Sequence, residues 1–439
     1  MLDNALKKQG RARTRVERNK RVYELETEEQ WLEFIFEADD EDLPPLTKFA
    51  QSYIYERQHP QSCTKHPGGL VIQNKFPVDK AYGLGAVFQS VATDLAYALR
   101  TGRTLVYTNN PPGQRFITPS PECGHSLDCI FHKISSCSPF NSTTLGDNPR
   151  NVYLPASGAH PPPPSYYETN PESIPPLLGY LLRRENPDIT HPAMKYWWRT
   201  QAMAYVMRLN KKSLQHLYKF RTDSTKQHGI HVYQDASGQT KRKDVPFTFP
   251  LGASSSTRRF KADKSCWAIH VRHGDKSIEM ALRPLESYLL PLQASIVTNP
   301  LSSLSNCAFI STEDPEVLEQ IKDIHNLLPE FVKTRSVKSG FTYYWSDIFR
   351  INGSPEAQLT GFTGEDGNGG WNGVKGTRTE LTLMWLGQAI MQGEAAGFVG
   401  TRGSGWNRLI DTLRCVWFAG CNAPWIEVGT RASWEGYGP

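Results

Sequence analysis

A chain of 439 residues is too long for one ordinary hydrophobic core and calls for two packed domains. Its 38% hydrophobic and 11% aromatic content excludes a disordered chain, and no run reaches the roughly 20 apolar residues that cross a bilayer or forms the apolar core of a signal peptide. Net charge is +5, much of it in a basic run from Lys7 to Arg21 that reads as a solvated arm, since no aromatic or glycine pattern of a nucleic-acid module accompanies it.

Residues 1–60 read as a basic and helical stem. Thr27 with Gln30 makes a capping box for a helix through Trp31, Leu32, Phe34 and Ile35 that ends before Pro44-Pro45. Asp40-Glu41-Asp42 has the form of the DxD that holds a metal on a sugar nucleotide, but an acidic run at this place reads as solvated surface. Leu70 to Ile72 is a strand candidate. Gly83-Leu84-Gly85 then opens a helix from about Ala86 to Arg100, with Val87, Val91, Leu95 and Leu99 on one face and Gly102 as its stop, and Arg103 to Tyr107 returns as a strand. The glycine turn could receive a phosphate on the free amides of a helix start, and tight-turn geometry explains it equally well.

From Pro111 to about Pro176 the chain is loop-rich, with Pro161 to Pro164 a rigid connector. A helix from Pro192 to Leu209 carries Tyr196-Trp197-Trp198, Met203, Val206 and Met207. Its aromatics suit core packing better than sugar stacking. Residues 222–262 are polar and aperiodic and read as a loop or hinge insert.

Cys266 to Val271 is a short apolar run that reads as a buried strand. It empties into Arg272, His273, Gly274, Asp275, Lys276 and Glu279, and helix can resume only near Pro284. A strand end with a guanidinium and nearby carboxylates has the form of an anion site, and a surface loop of self-paired charges has the same composition. Cys307 to Ser311 is the next strand, followed by Thr312-Glu313-Asp314-Pro315, where Asp314 is placed to cap a helix. Residues 351–376 are glycine-rich loop. A helix from Thr379 to Gln392 then leads to a strand from Gly397 to Gly400, the loop Thr401-Arg402-Gly403-Ser404-Gly405, and a helix with Trp406, Leu409, Ile410 and Leu413 on one face. Strand, small-residue loop and helix start together put amides, hydroxyls and Arg402 where a phosphate can meet the positive end of a helix dipole.

The eight cysteines are an even number without CxxC spacing, which fits an oxidising compartment and speaks against zinc; Cys415 and Cys421 are close enough to close a small ring. Sequons at Asn141-Ser142-Thr143 and Asn352-Gly353-Ser354 point the same way.

His270-Val271-Arg272-His273-Gly274-Asp275-Lys276 resembles the HxRxxDK signature of the core α1,6-fucosyltransferase family, and Pro284-Leu285-Glu286-Ser287-Tyr288 follows at the family's spacing. Further similar blocks, among them Gly83-Leu84-Gly85, His160-Pro161 and the tryptophan pair, extend the resemblance from roughly Gly83 to Cys415. It implies an α/β, GT-B-like architecture, with an N-terminal stem (1–60), an N-terminal α/β catalytic subdomain (61–240) and a C-terminal Rossmann-like nucleotide-binding domain (241–439). The implied activity is inverting transfer of L-fucose from GDP-fucose to a glycan or glycoprotein acceptor, without metal or cofactor, in the Golgi lumen or secretory pathway, with any membrane anchor outside this chain.

By the same resemblance, Arg272 binds the donor phosphates, His270 lies near the guanine, Ser404 sits beneath the phosphates, and Glu279, allowing a one-residue gap, is the catalytic base. Lys276 belongs to the catalytic loop, and His273, Asp275, Gly83, Gly85, Gln388, Thr401, Arg402 and Gly403 line the donor site. The chain departs from the family at His273, where many members carry a second arginine, at Gln388, where they carry a carboxylate, and after Cys421, where no SH3-like segment follows. A phosphate contact by His273 would fade as pH rises through neutrality. A protein O-fucosyltransferase and a glycan-binding relative without turnover are the alternative readings.

Overall fold

The structure, a computed structural model, describes residues 30–32, 44–75, 84–110, 116–117, 120–121, 123–124, 126–137, 150–154, 174–222, 230–234, 241–245, 263–273, 282–298, 307–322, 324–327, 341–346, 378–417 and 424–429. It is a mixed α/β protein built on two sheets, one of three strands and one of seven.

The smaller sheet has β1 (Leu70–Lys75) between β2 (Thr104–Asn110) and β3 (Val152–Leu154), both parallel to it. Helix α1 (Pro45–Gln58) precedes it and α2 (Leu84–Arg100) crosses from β1 to β2. Helix α2 carries Phe88, Val91 and Leu95 fully buried on the face its apolar spacing predicts, and the chain leaves it through Gly102 at φ +67°, a left-handed turn that favours glycine. Within the stretch read as a stem, α1 is a core element: Ala50 and Ile54 are fully buried, and the Gln51 amide donates to the Gln201 side chain at 2.8 Å. Residues 30–32 are helical with Trp31 buried, whereas Thr27 and the acidic run Asp39 to Asp42 lie outside the described residues.

Three more helices, α3 (Pro176–Glu185), α4 (His191–Val206) and α5 (Lys211–Thr222), follow. Trp198 of α4 is buried in the core, as expected for packing, and Trp197 packs against that core.

The larger sheet comprises β4 (Ile230–Gln234), β5 (Lys241–Val245), β6 (Asp263–Val271), β7 (Cys307–Thr312), β8 (Thr342–Ser346), β9 (Ala395–Gly400) and β10 (Trp425–Glu427), in the order β10-β9-β6-β7-β8-β4-β5. The first five in that order run parallel, and β4 and β5 close the far edge as an antiparallel hairpin. This corrects the reading of 222–262 as loop: ladder hydrogen bonds to β8 make a strand of β4, and β5 at the edge pairs on one side only, where charged residues such as Lys241, Arg242 and Lys243 are tolerated. The sheet also crosses the boundary drawn at residue 240, since β4 lies before it.

Helices α6 (Glu286–Thr298), α7 (Pro315–Lys322), α8 (Ile324–Leu327), α9 (Arg378–Gly393) and α10 (Gly405–Trp417) cover the sheet. Trp267, Ile269 and Val271 of β6 face a cluster with Leu285, Leu289 and Leu292, while Cys266 and Ala268 face the other side, so the run from Cys266 to Val271 is largely apolar because both faces are covered. One continuous core runs from Phe88 and Val91 of α2 through Met203 of α4 to Leu409 and Leu413 of α10, and so joins the two sheets.

Three disulfides, Cys63–Cys137, Cys123–Cys129 and Cys266–Cys307, cross-link the described residues. Cys415 is disulfide-bonded as well, and Cys421, its expected ring partner, lies outside them. Disulfides of this number fit a chain folded in an oxidising compartment. Among the described residues no helix is long and apolar enough to cross a membrane.

Candidate functional site

The candidate site grows out of the pairing of β6 with β7. The parallel register sets Cys266 beside Cys307 and carries on rung by rung to Val271 beside Thr312. Beyond the last rung the same separation of 41 residues continues into side-chain pairs, Arg272 with Glu313 and His273 with Asp314. The charged residues after each strand thus meet at the carboxyl edge of the sheet, where the chain is released from ladder bonding.

Glu313 is the hub of this edge. It is 4% exposed and accepts from Nη1 of Arg272 and from the backbone N–H of His273 at 3.0 Å, with Nε2 of His270 3.3 Å from its other oxygen. Burial pushes its carboxyl up, but the Arg272 charge and the hydrogen bonds of His270 and Arg272 outweigh that and hold it at about 2. Glu313 is therefore a carboxylate, and it compensates a guanidinium that is itself buried.

His270 faces inward. The Gln392 amide donates to Ser311 Oγ at 2.6 Å, and the same oxygen lies 2.7 Å from His270 Nδ1. The other ring nitrogen, Nε2, faces Glu313. His273 is held by two acceptors, Asp314 Oδ2 at 2.6 Å from Nδ1 and the Arg283 carbonyl at 2.7 Å from Nε2. The other oxygen of Asp314 accepts from the Glu316 N–H at 2.8 Å, the cap its position before α7 predicts. Tyr288 is buried beside this network, and burial drives the acidity of its hydroxyl well down.

The second half of the candidate site follows β9, which neighbours β6 on its other side and runs parallel to it. Thr401 and Ser404 are fully buried and serve the turn itself: Gly403 N–H donates to Thr401 Oγ1 at 3.2 Å, Ser404 N–H to the Thr401 carbonyl at 3.1 Å, and Asn407 N–H to Ser404 Oγ at 3.4 Å. Ser404 is thus the N-cap of α10. The Arg402 N–H donates to Glu427 Oε1 at 2.9 Å, and its guanidinium lies 4.6 Å from the Trp425 ring centre and 4.0 Å from Asp411 Oδ2.

Gly85 brings the smaller sheet's first crossover helix to this place. A Cβ on Gly85 would stand 2.4 Å from the Gly405 carbonyl oxygen, so the starts of α2 and α10 abut at a distance only glycine allows. Two positive helix ends converge beside the carboxyl edge of the larger sheet.

Of the residues expected from sequence, the fold brings Arg272, His270 and His273 into one network and Thr401, Arg402, Gly403, Ser404 and Gly85 into another, on neighbouring strands of one sheet edge. Gln388 is buried in α9, while Gln392, one turn later, is the residue that reaches Ser311. Gly83, Asp275, Lys276 and Glu279 lie outside the described residues. Sequence reasoning missed Glu313 as a clamp, along with Ser311, Gln392, Glu427 and Tyr288. The Thr312-Glu313-Asp314 run was visible, but nothing local to it reveals that its partner is 41 residues away. Among the described residues no group of three or more His, Cys, Asp or Glu is placed to hold a metal ion. Neither the models of known protein families nor the curated proteins match this chain.

Proposed function

We propose that this protein is an inverting glycosyltransferase that moves L-fucose from GDP-fucose to a glycan, in α1,6 linkage to a GlcNAc of an N-glycan or chito-oligosaccharide. In this reading the larger sheet is a Rossmann-like donor domain, the smaller sheet completes a GT-B-like pair, and the protein works in the lumen of the Golgi. One observation carries it: the Arg272 network and the Thr401–Ser404 turn stand at the carboxyl ends of adjacent parallel strands, where the starts of α2 and α10 converge. The carboxyl edge of a parallel sheet with two helix starts beside it suits a diphosphate, and the HVRHGDK resemblance supplies the sugar nucleotide.

In the reaction the acceptor hydroxyl oxygen bonds to the anomeric carbon as the bond from that carbon to the phosphate oxygen breaks, with inversion. GDP leaves with the bonding electrons, and the acceptor proton passes to Glu279. Arg272, aimed by Glu313, and the helix starts stabilise the charge that builds on the leaving diphosphate. Because Glu313 already compensates Arg272, the helix starts are needed for net attraction of the donor.

Purified protein assayed with GDP-fucose and free N-glycan or chito-oligosaccharide acceptors tests the reading. Arg272→Ala is expected to lose on the order of 100-fold or more in turnover, and Glu279→Gln roughly 100-fold to 10,000-fold. Labelling of a folded protein domain on Ser or Thr instead of a free glycan would replace it with protein O-fucosylation, and GDP binding without turnover on any acceptor with a binding role.

A further inference from the structure

His273 departs from what its neighbours do. His270 and Arg272 turn to Glu313, whereas the His273 ring, in a residue 9% exposed, spans two different parts of the chain. On one side stands Asp314, immobilised because its second oxygen caps α7 and its own N–H donates to Thr312 Oγ1 at 3.1 Å. On the other stands the Arg283 carbonyl, just ahead of Pro284, whose carbonyl accepts the Ser287 N–H at 3.0 Å as α6 begins. Both partners are acceptors, and both bonds form only when each ring nitrogen carries a hydrogen. A neutral ring satisfies one and leaves the other a lone pair facing a lone pair.

We propose that His273 is a positioning residue of this site, a tie whose doubly hydrogen-bearing ring fixes the backbone at Arg283 to the cap of α7 and thereby sets the separation between the end of β6 and the start of α6. Asp275, Lys276 and Glu279 fall between those two points in the sequence. Neither the donor-phosphate role expected for His273 nor a simple core role requires two opposed acceptors. The consequence for transfer rests on the fucosyltransferase reading, and the tie itself does not.

The test uses the full chain. With ¹⁵N-labelled histidine, the ring signals that vanish in His273→Gln should report a hydrogen on both nitrogens in the folded wild type. A ring with one bare nitrogen overturns the proposal, whatever the enzyme does. In the transfer assay, His273→Ala should lower kcat by on the order of 10-fold to 100-fold while GDP affinity by calorimetry stays within about threefold, the split expected of misplaced reacting groups and an intact donor site. His273→Arg, whose guanidinium can donate to both acceptors, should recover kcat to within about threefold of wild type. His273→Gln keeps one donor, should fall between, and serves as the folded control. Equal turnover in all three variants, or loss in His273→Ala that comes entirely as weaker GDP binding, overturns the positioning role. Absence of both GDP binding and transfer in the wild type sinks the function reading and leaves the tie to the nitrogen signals.

Discussion

Cys266 and Cys307 are joined across neighbouring strands at the same separation of 41 residues that links Arg272 to Glu313. A covalent bond and an ion pair therefore bracket one register, the first at the start of the β6–β7 ladder and the second just past its end. A slip of one residue would turn His270 to the opposite face and separate Arg272 from its carboxylate.

Replacing both cysteines with alanine should lower the free energy of unfolding by about 2–4 kcal/mol, read from the denaturant midpoint, because the cross-link restrains the unfolded chain. GDP affinity should stay within about threefold, since the rungs up to Val271 and Thr312 still hold the register. A folded variant with much weaker GDP binding would mean instead that the cross-link, and not the ladder, sets the pairing.

Glu313→Gln should destabilise the protein by roughly 3–5 kcal/mol, as it removes the buried carboxylate that the Arg272 guanidinium meets. The pH dependence has a definite sign. The folded carboxyl sits at about 2 against an ordinary 4.5, so in that window the unfolded chain holds more protons and stability rises with pH. The contribution is whole above about 4.5 and is lost as pH falls toward 2. Urea titrations of wild type and variant between those limits should converge at the acid end. Parallel curves would mean that Glu313 carries no such charge.

Asp94 has the opposite sign. Its carboxylate in α2 accepts from the Tyr107 hydroxyl of β2 at 2.8 Å, and burial raises it from 3.8 to about 7 despite that hydrogen bond. The folded state holds more protons between those values, so this group costs stability as pH rises through them. Asp94→Asn keeps an acceptor for Tyr107 without the charge. It should melt above wild type at pH 8 and level with it below pH 4, on the order of several kcal/mol apart at the upper end. A variant less stable than wild type at pH 8 would show that the carboxylate is needed in its charged form.

Gly85→Ala puts a methyl carbon 2.4 Å from the Gly405 carbonyl oxygen, with backbone on both sides of the clash. The starts of α2 and α10 must part, at a cost of about 1–3 kcal/mol in stability. If the two helix ends jointly bind a diphosphate, GDP affinity should fall by on the order of tenfold as well. Calorimetry that finds affinity unchanged in a destabilised variant would confine this contact to packing.

Much of the scaffold was legible in order. Val87, Val91 and Leu95 recur at helical spacing, and α2 buries them; Cys266 to Val271 is largely apolar sequence, and β6 is covered on both faces. Asp314 before Pro315 is a cap in the sequence and in the structure. The β4–β5 hairpin was hidden because neither strand carries an alternating signal strong enough to outweigh its polar surroundings. It exists by virtue of the hydrogen bonds β8 offers. Helix α1 was hidden for a related reason, as the residues it buries include Thr47 and Gln51, which look solvent-facing until Gln201 is seen to meet them.

At the candidate site the sequence alone supplied the residue types: an arginine and two histidines at the end of an apolar run, and a small-residue turn at the start of an amphipathic helix. Those follow from patterns a few residues long, where each position constrains its neighbours through the backbone. Which carboxylate Arg272 meets, which nitrogen of His270 faces Glu313, and that Gly85 touches Gly405 were decided only by tertiary packing, because strand register and helix approach join positions that share no local pattern.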